Sequence, residues 1–539
     1  MGKQRKRSTQ TTAPPGLRPG PGMGERRRGL TATPAWRWGV PAALLLVGLA
    51  LGAWTFDRKL GLSGDNTEFI TLARSLARGQ GLSYILEPSP TPATKYPFGF
   101  PLMLAPFAAG AGEAAEPVED WIGMKWLVVV LFAASLPLFY RLARGEMDEV
   151  AGLAATALVA TNPLVVDYGH QVMSEIPYLT FSVAALYLLQ RGLEPGRREF
   201  NGWLVGGFAL GVWSYYLRTV GVVLLGALVL HLAWQRQFRR AGAAVGATAA
   251  ALLPWMLRNR AVGGGSVYLK QLVQVNPYYP DQGLLDLGGL WDRVVSQGAF
   301  YLQHGLPQAL VPFLGPADAV LNPLSVLLLA TAGYAAFACL RRRQHLLLLL
   351  YTAFYLGTVL LWPWPGDRFL VPIVPLLLFF AVRAATELVG VLGRVGGGPA
   401  AGVAALALAA ALVWGNAGGL HDLARRAAAG YPPPWRNYYA AAQWLRSNAP
   451  ADAVVCARKA FWLYVTSGRR AVPYAFVEPA ALVTELDRHR VSYVVVEQLG
   501  FRQTPMFLVP AIQAYPDRFG VVWKQPDPDT FVLTYRAGD

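Results

Sequence analysis

A polytopic α-helical membrane protein, about 11 TM helices with a small C-terminal extracytoplasmic α/β domain, is the fold class predicted by three observations. Hydrophobic residues make up 54% of the 539-residue chain and charged residues only 15%, too few charges for a water-soluble protein of this length. Apolar stretches near the length that crosses a bilayer recur about eleven times. From about residue 421 the pattern changes to short β-rich runs separated by turn residues.

The apolar stretches lie near 39–56, 121–140, 150–166, 174–190, 202–217, 219–234, 241–257, 322–340, 345–361, 369–387 and 400–417. Residues 1–38 form a Pro/Gly/Arg-rich tail read as disordered, and Lys3, Arg5, Lys6, Arg7, Arg18 and Arg26–Arg28 hold it in the cytoplasm. No small-residue cleavage site follows the first stretch, which therefore reads as a retained anchor. Eleven spans threaded from that side put Arg141/Arg144, Arg191/Arg197/Arg198, Arg236/Arg239/Arg240, Arg341–Arg343 and Arg383/Arg394 together in the cytoplasm. The opposite hairpins carry only Arg218 and Arg368. The net charge of +16 is thus positive-inside bias and excludes a nucleic-acid partner. An odd span count places the C-terminal end outside, on a multi-pass protein of the cytoplasmic (inner) membrane. Cys339 then falls at a cytoplasmic helix end and Cys456 outside, so no disulfide joins them.

Residues 39–420 form the membrane domain, with two long outer loops at 57–120 and 258–320. Ordered loops of that length are uncommon unless they serve function. In residues 421–539, Ala453–Ala457, Ala471–Val477 and Val491–Glu497 read as buried strands, Pro479–Arg490 as a helix, and Val521–Lys524 with Phe531–Tyr535 as a closing pair. This domain carries no Gly-rich phosphate loop and no metal-ligand spacing, and reads as a cap or acceptor-docking module. With the two loops it can cover a cavity cut into the bundle.

Asp65 is the most informative residue. It opens an amphipathic segment that puts Phe69, Leu72, Ala73 and Leu76 on one face and stops at Gly79. Its neighbour Glu68 lies one turn on, on the same face. Lys95 opens the rigid run Lys95-Tyr96-Pro97-Phe98-Gly99-Phe100-Pro101. Asp167, His170 and Glu175 crowd the hairpin between the third and fourth spans, Arg218 lies in the next outer hairpin, Arg258 and Arg260 follow Pro254-Trp255, and Arg368 follows Asp367. Singly, each has a structural alternative: Asp65 as a helix cap, the arginines as headgroup anchors, His170 as a polar loop residue. A carboxylate near a membrane segment, such as Glu175, needs a partner or a task. Together, carboxylates and cations on one side of a bundle suit an acid-base group working beside a phosphate leaving group.

The order Gly64-Asp65-Asn66, Lys95-Tyr96-Pro97-Phe98-Gly99-Phe100-Pro101, Ser174-Glu175-Ile176-Pro177, Leu217-Arg218-Thr219-Val220-Gly221, Leu253-Pro254-Trp255-Met256-Leu257-Arg258-Asn259 and Asp367-Arg368-Phe369-Leu370-Val371-Pro372 resembles the GT-C superfamily of integral-membrane glycosyltransferases. The resemblance spans about 57–390 and is nearest to the branch of protein mannosyltransferases and lipid A aminoarabinose transferases. It implies a polyprenyl-phosphate-sugar donor, a lipid, glycan or protein acceptor, and inverting transfer on the outer face of a bacterial membrane. It implies Asp65 as catalytic base, Glu175 as organiser of the site, and Lys95, Arg258 and Arg368 as donor-phosphate ligands, with Glu68, Asp167, His170 and Arg218 in support. Many relatives carry a second acidic residue where this chain has Asn66, so a divalent metal is an option without a defined acidic pair. The reading from another class is a lipid-linked substrate transporter or flippase, or an inactive scaffold. A transporter calls for an internal repeat with interrupted spans, and none is visible in the sequence.

Overall fold

The computed structural model describes residues 34–62, 64–108, 119–263, 267–314, 323–342, 344–394 and 398–538. Most of the basic tail therefore lies outside the described residues, and its last residues already belong to helix α1 (Pro34–Trp54). Every apolar stretch read from the sequence is helical. Among the described residues, five helices are long and apolar enough by themselves to cross a membrane: Trp121–Glu146, Phe238–Ala261, Pro323–Arg342, Asp367–Gly393 and Ala400–Asn448. Shorter apolar helices include Trp38–Trp54, Glu149–Thr161, Thr219–Trp234 and Leu346–Leu361. The stretch expected at 150–166 is broken, because Asn162 accepts from the amides of Leu164 and Val165 and caps a new helix at Pro163.

Close approach of the bundle helices needs small residues. A Cβ on Gly48 of α1 would stand 2.7 Å from the Cα of Ala133, so the two helices meet backbone to backbone there. Their adjoining ends are tied by Lys125, 2% exposed, whose ammonium donates to the carbonyls of Asp57 (2.6 Å) and Lys59. A buried ammonium is costly unless hydrogen-bonded, and these carbonyls meet that need.

The first outer loop carries helix α2 (Gly64–Ala77), then a two-residue hairpin of β1 (Ser83–Tyr84) and β2 (Thr91–Pro92), then helix α3 (Gly99–Ala108). Helix α2 begins and ends as its sequence dictates: Phe69, Leu72 and Ala73 are buried, and Gly79 takes φ +71°, where only glycine is unstrained. The run after Lys95 was expected as a rigid turn, yet it leads directly into α3. Gly99 permits this, since a Cβ there would lie 2.6 Å from the carbonyl oxygen of Tyr216.

The C-terminal unit is a five-stranded sheet in the order β4-β3-β5-β7-β6. Strands β3 (Val454–Cys456), β4 (Arg470–Val472) and β5 (Tyr493–Val496) are parallel; β6 (Phe519–Gln525) and β7 (Thr530–Tyr535) close it antiparallel. The last apolar helix continues past the expected boundary to Ala428, and β4 is shorter than the run expected at 471–477. The unit is bonded to the first outer loop. The amide of Ala471 donates to the carbonyl of Leu86 at 2.8 Å, extending the sheet edge into the loop. Arg74 of α2 makes a bidentate pair with Asp120 (2.9 Å each), and both side chains are nearly water-free. Lys59 caps the end of the last apolar helix through the carbonyls of Arg426, Ala427 and Ala429 at 2.7–3.1 Å.

Candidate active site

The start of α2 gathers charged side chains from segments far apart in sequence. Asp65 accepts from the Tyr96 hydroxyl at 2.7 Å on one oxygen and from Arg368 at 2.9 Å on the other. The Lys95 ammonium lies 3.6 Å from the first oxygen and 2.7 Å from Glu68 Oε2. Tyr84 of β1 donates to the other Glu68 oxygen at 2.6 Å. The members differ in access. Asp65, Lys95 and Arg368 keep 25%, 31% and 32% of their side chains exposed, whereas Glu68 keeps 9%. A substrate can thus reach the first three and not the fourth.

Opposing effects set the charges. Burial by itself raises the Asp65 carboxyl, but the charges of Lys95 and Arg368, with hydrogen bonds from Tyr96 and Arg368, carry it from 3.8 down to about 2. Burial pulls the Lys95 ammonium down, and Glu68 and Asp65 outweigh it, leaving the group above its ordinary value. Burial and the neighbouring Glu68 and Asp65 push the Tyr96 hydroxyl well up, so it stays a donor. Tyr268, from the second outer loop, packs on Tyr96 (6.3 Å) and Trp362 (5.5 Å) and feels the charges of Arg218, Asp65, Glu68 and Arg368.

The remaining residues expected here separate into three groups. Glu175, 1% exposed, pairs with Arg218 at 2.7 Å, and Arg218 also donates to Ser174 at 3.0 Å. This pair sits beside Arg368, which interacts electrostatically with both of its members. Arg258 does not contact the Asp65 cluster. Its guanidinium lies over Trp255 (5.2 Å) and donates to the carbonyls of Ala93 and Leu82 (3.1 Å), while Asn259 reaches the carbonyl of Thr94 at 3.4 Å. It clamps the β1–β2 hairpin that carries Tyr84 and leads to Lys95. Asp167 and His170 lie in a second polar cluster with Lys125, Asp57 and Arg426. Burial, with Lys125 adding to it, holds His170 neutral by lowering it to about 4.

A divalent cation does not fit the donor set as arranged. Lys95 lies between the Asp65 and Glu68 carboxylates, Asn66 stands where a second acidic residue would be needed, and no group of three or more metal-ligating side chains occurs among the described residues. Reasoning from sequence missed Tyr84, Tyr268 and the bond from Tyr96. Only Tyr96 had a signal, its place directly after Lys95.

Comparison with known proteins bears on the architecture. Over 94% of this chain and 75% of theirs, the fold matches the archaeal oligosaccharyltransferase AglB from Archaeoglobus fulgidus, in complex with an inhibitory peptide and a dolichol-phosphate (TM-score 0.56, 12% identity). ArnT from Cupriavidus metallidurans, bound to undecaprenyl phosphate, matches over 93% of this chain and 98% of its own (TM-score 0.56, 12% identity). The chain thus shares the fold of these two proteins. Residues 119–257 of the chain also match the dolichyl-phosphate-mannose-protein mannosyltransferase family. That segment contains Glu175 and Arg218 but not Asp65, Lys95 or Arg368. No curated protein matches the chain by sequence.

Proposed function

We propose that this protein is an inverting membrane glycosyltransferase that moves a sugar from a polyprenyl-phosphate carrier to an acceptor hydroxyl on the outer face of a bacterial cytoplasmic membrane. The observation that carries the reading is the half-exposed triad of Asp65, Arg368 and Lys95, an ionised carboxylate flanked by two cations that a ligand can reach. The one-sided basic loops support an N-terminus in the cytoplasm and a sheet unit outside as a separate domain. The solved proteins of like fold, carrying dolichol-phosphate and undecaprenyl phosphate, support the carrier class.

In this reading the carrier phosphate displaces Asp65 from Arg368 and Lys95 and takes both cations for itself. The acceptor oxygen attacks the anomeric carbon opposite the phosphate. The bond from that carbon to the phosphate oxygen breaks, and its electron pair leaves with the polyprenyl phosphate. Arg368 and Lys95 stabilise the charge that develops there. Asp65 takes the acceptor proton. Losing its two cations raises the carboxyl from its depressed value, so donor binding itself makes Asp65 a stronger base. The buried Glu175–Arg218 pair and Glu68 hold the cations in place.

Binding of undecaprenyl phosphate to protein in lipid nanodiscs tests the reading. Arg368→Ala should weaken binding strongly, and Arg368→Lys should recover only part, because the planar fork is lost. Equal affinity in wild type and Arg368→Ala would overturn the assignment of this site to the carrier.

A further inference from the structure

The parallel part of the C-terminal sheet has the strand order β4-β3-β5. The connection from β3 leads to one side and β5 lies on the other, so the strand order reverses between β3 and β5. In open α/β sheets, ligands bind outside the carboxyl ends of the strands at such a switch point. Here those ends carry Arg458 and Lys459, just after β3, and Glu497, just after β5.

Each of the two cations sits over an aromatic ring. Lys459 Nζ lies 4.6 Å over the ring of Phe501, and the Arg458 guanidinium is sandwiched between Phe501 (4.8 Å) and Phe476 (5.2 Å). Among the described residues neither side chain has a hydrogen-bond acceptor or ion pair, and the Nε of Arg458 is buried without a partner. The nearby Glu497 spends its oxygens on the Thr504 hydroxyl and the Leu499 amide, at 2.5 Å each. Aromatic faces hold a cation in place without neutralising it, which leaves it free for an anion.

This end of the sheet lies against the start of α2. A Cβ built on Gly64 would lie 3.7 Å from Lys459 Nζ, so the ammonium faces the first residue of α2, next to Asp65. The helix Ala460–Ser467, which follows Lys459 directly, packs against α2, with Arg74 of α2 reaching the carbonyl of Val465 at 3.4 Å. Asp65 is thus paired with Arg368, from the membrane bundle, and lies within electrostatic reach of Lys459, from the sheet unit.

We propose that Lys459 and Arg458 bind an anionic group, phosphate or carboxylate, of the acceptor and so place its hydroxyl over Asp65. The proposal rests on the transferase reading and adds a substrate class to it: the acceptor is acidic, and it is recognised by the sheet unit. Donor and acceptor anions are held apart, the first by Arg368 and Lys95, the second by Lys459 and Arg458, with the base between them.

Both anion sources can be measured on the full-length protein in nanodiscs. One arm is the affinity for undecaprenyl phosphate. The other is ³¹P line broadening of inorganic phosphate after the carrier site has been saturated with undecaprenyl phosphate. Lys459→Met should weaken inorganic phosphate by about tenfold or more, the usual scale for a charged hydrogen bond, while carrier affinity stays within about twofold. Lys459→Arg should retain most of the phosphate binding, which separates lost charge from misfolding. If Lys459→Met weakens the carrier as Arg368→Ala does, Lys459 belongs to the donor grip and the proposal is wrong. Unchanged phosphate broadening in Lys459→Met, or none in the wild type, overturns it as well. Failure of the carrier arm in the wild type would instead count against the transferase reading.

Discussion

Replacing Asp65 by Asn keeps the shape and removes the charge. The depression of its carboxyl from 3.8 to about 2 corresponds to about 2.4 kcal/mol of net preference for the ionised form in the folded protein. Because the folded value lies below the unfolded one, this stabilisation is complete above about pH 4 and is lost as pH falls toward 2. Asp65→Asn should therefore cost on the order of 2 kcal/mol of stability at neutral pH and flatten the acid limb of the unfolding profile below pH 4. Turnover should fall far more, by ~10²–10⁴-fold, because the proton acceptor is gone. The assay is sugar transfer from a polyprenyl-phosphate donor, run beside thermal unfolding of the same preparation. Asn caps helices about as well as Asp, so a purely capping role predicts survival of both activity and fold. Near-normal transfer by Asp65→Asn would refute the base assignment. Glu68→Gln is not the neutral control its position suggests, since Glu68 anchors both Lys95 and Tyr84. It should raise the donor KM while retaining most of kcat.

Arg258→Ala should loosen the β1–β2 hairpin and lower stability by about 1.5–3 kcal/mol, with a smaller loss of carrier affinity than Arg368→Ala; hydrogen exchange over residues 82–95 reads the difference. Arg218→Ala leaves Glu175 buried and unpaired, at a cost of ~3–5 kcal/mol, and the double change with Glu175→Gln should recover much of the loss in thermal unfolding. A reporter active only outside the cytoplasm should be active when fused after Asp539 and silent after Arg343; the reverse pattern would sink the topology and the placing of the site.

The helices and the sheet were legible in the sequence because each depends on local pattern. Apolar length marked the bundle helices, short buried apolar runs marked the strands, and Gly79 marked the end of α2 through a backbone angle that glycine alone adopts freely. Asp65, Lys95 and Arg368 stood out because charge near lipid is rare, and that rarity needs no neighbour to be noticed. Which of those charges meet is a different matter. Arg258 and Arg368 look alike in sequence, each an arginine at the end of an apolar stretch. Only tertiary structure turned one to Asp65, 303 residues away, and the other to the carbonyls of a hairpin. In the same way Lys459 has no local pattern at all. Its place beside Gly64 follows from the docking of a sheet unit through the Ala471–Leu86 bond and the bond from Arg74 to the Val465 carbonyl. The physical reason is that periodicity and burial are set by a residue and its near neighbours along the chain. An ion pair is set by where two distant segments end up, and no local pattern encodes that distance.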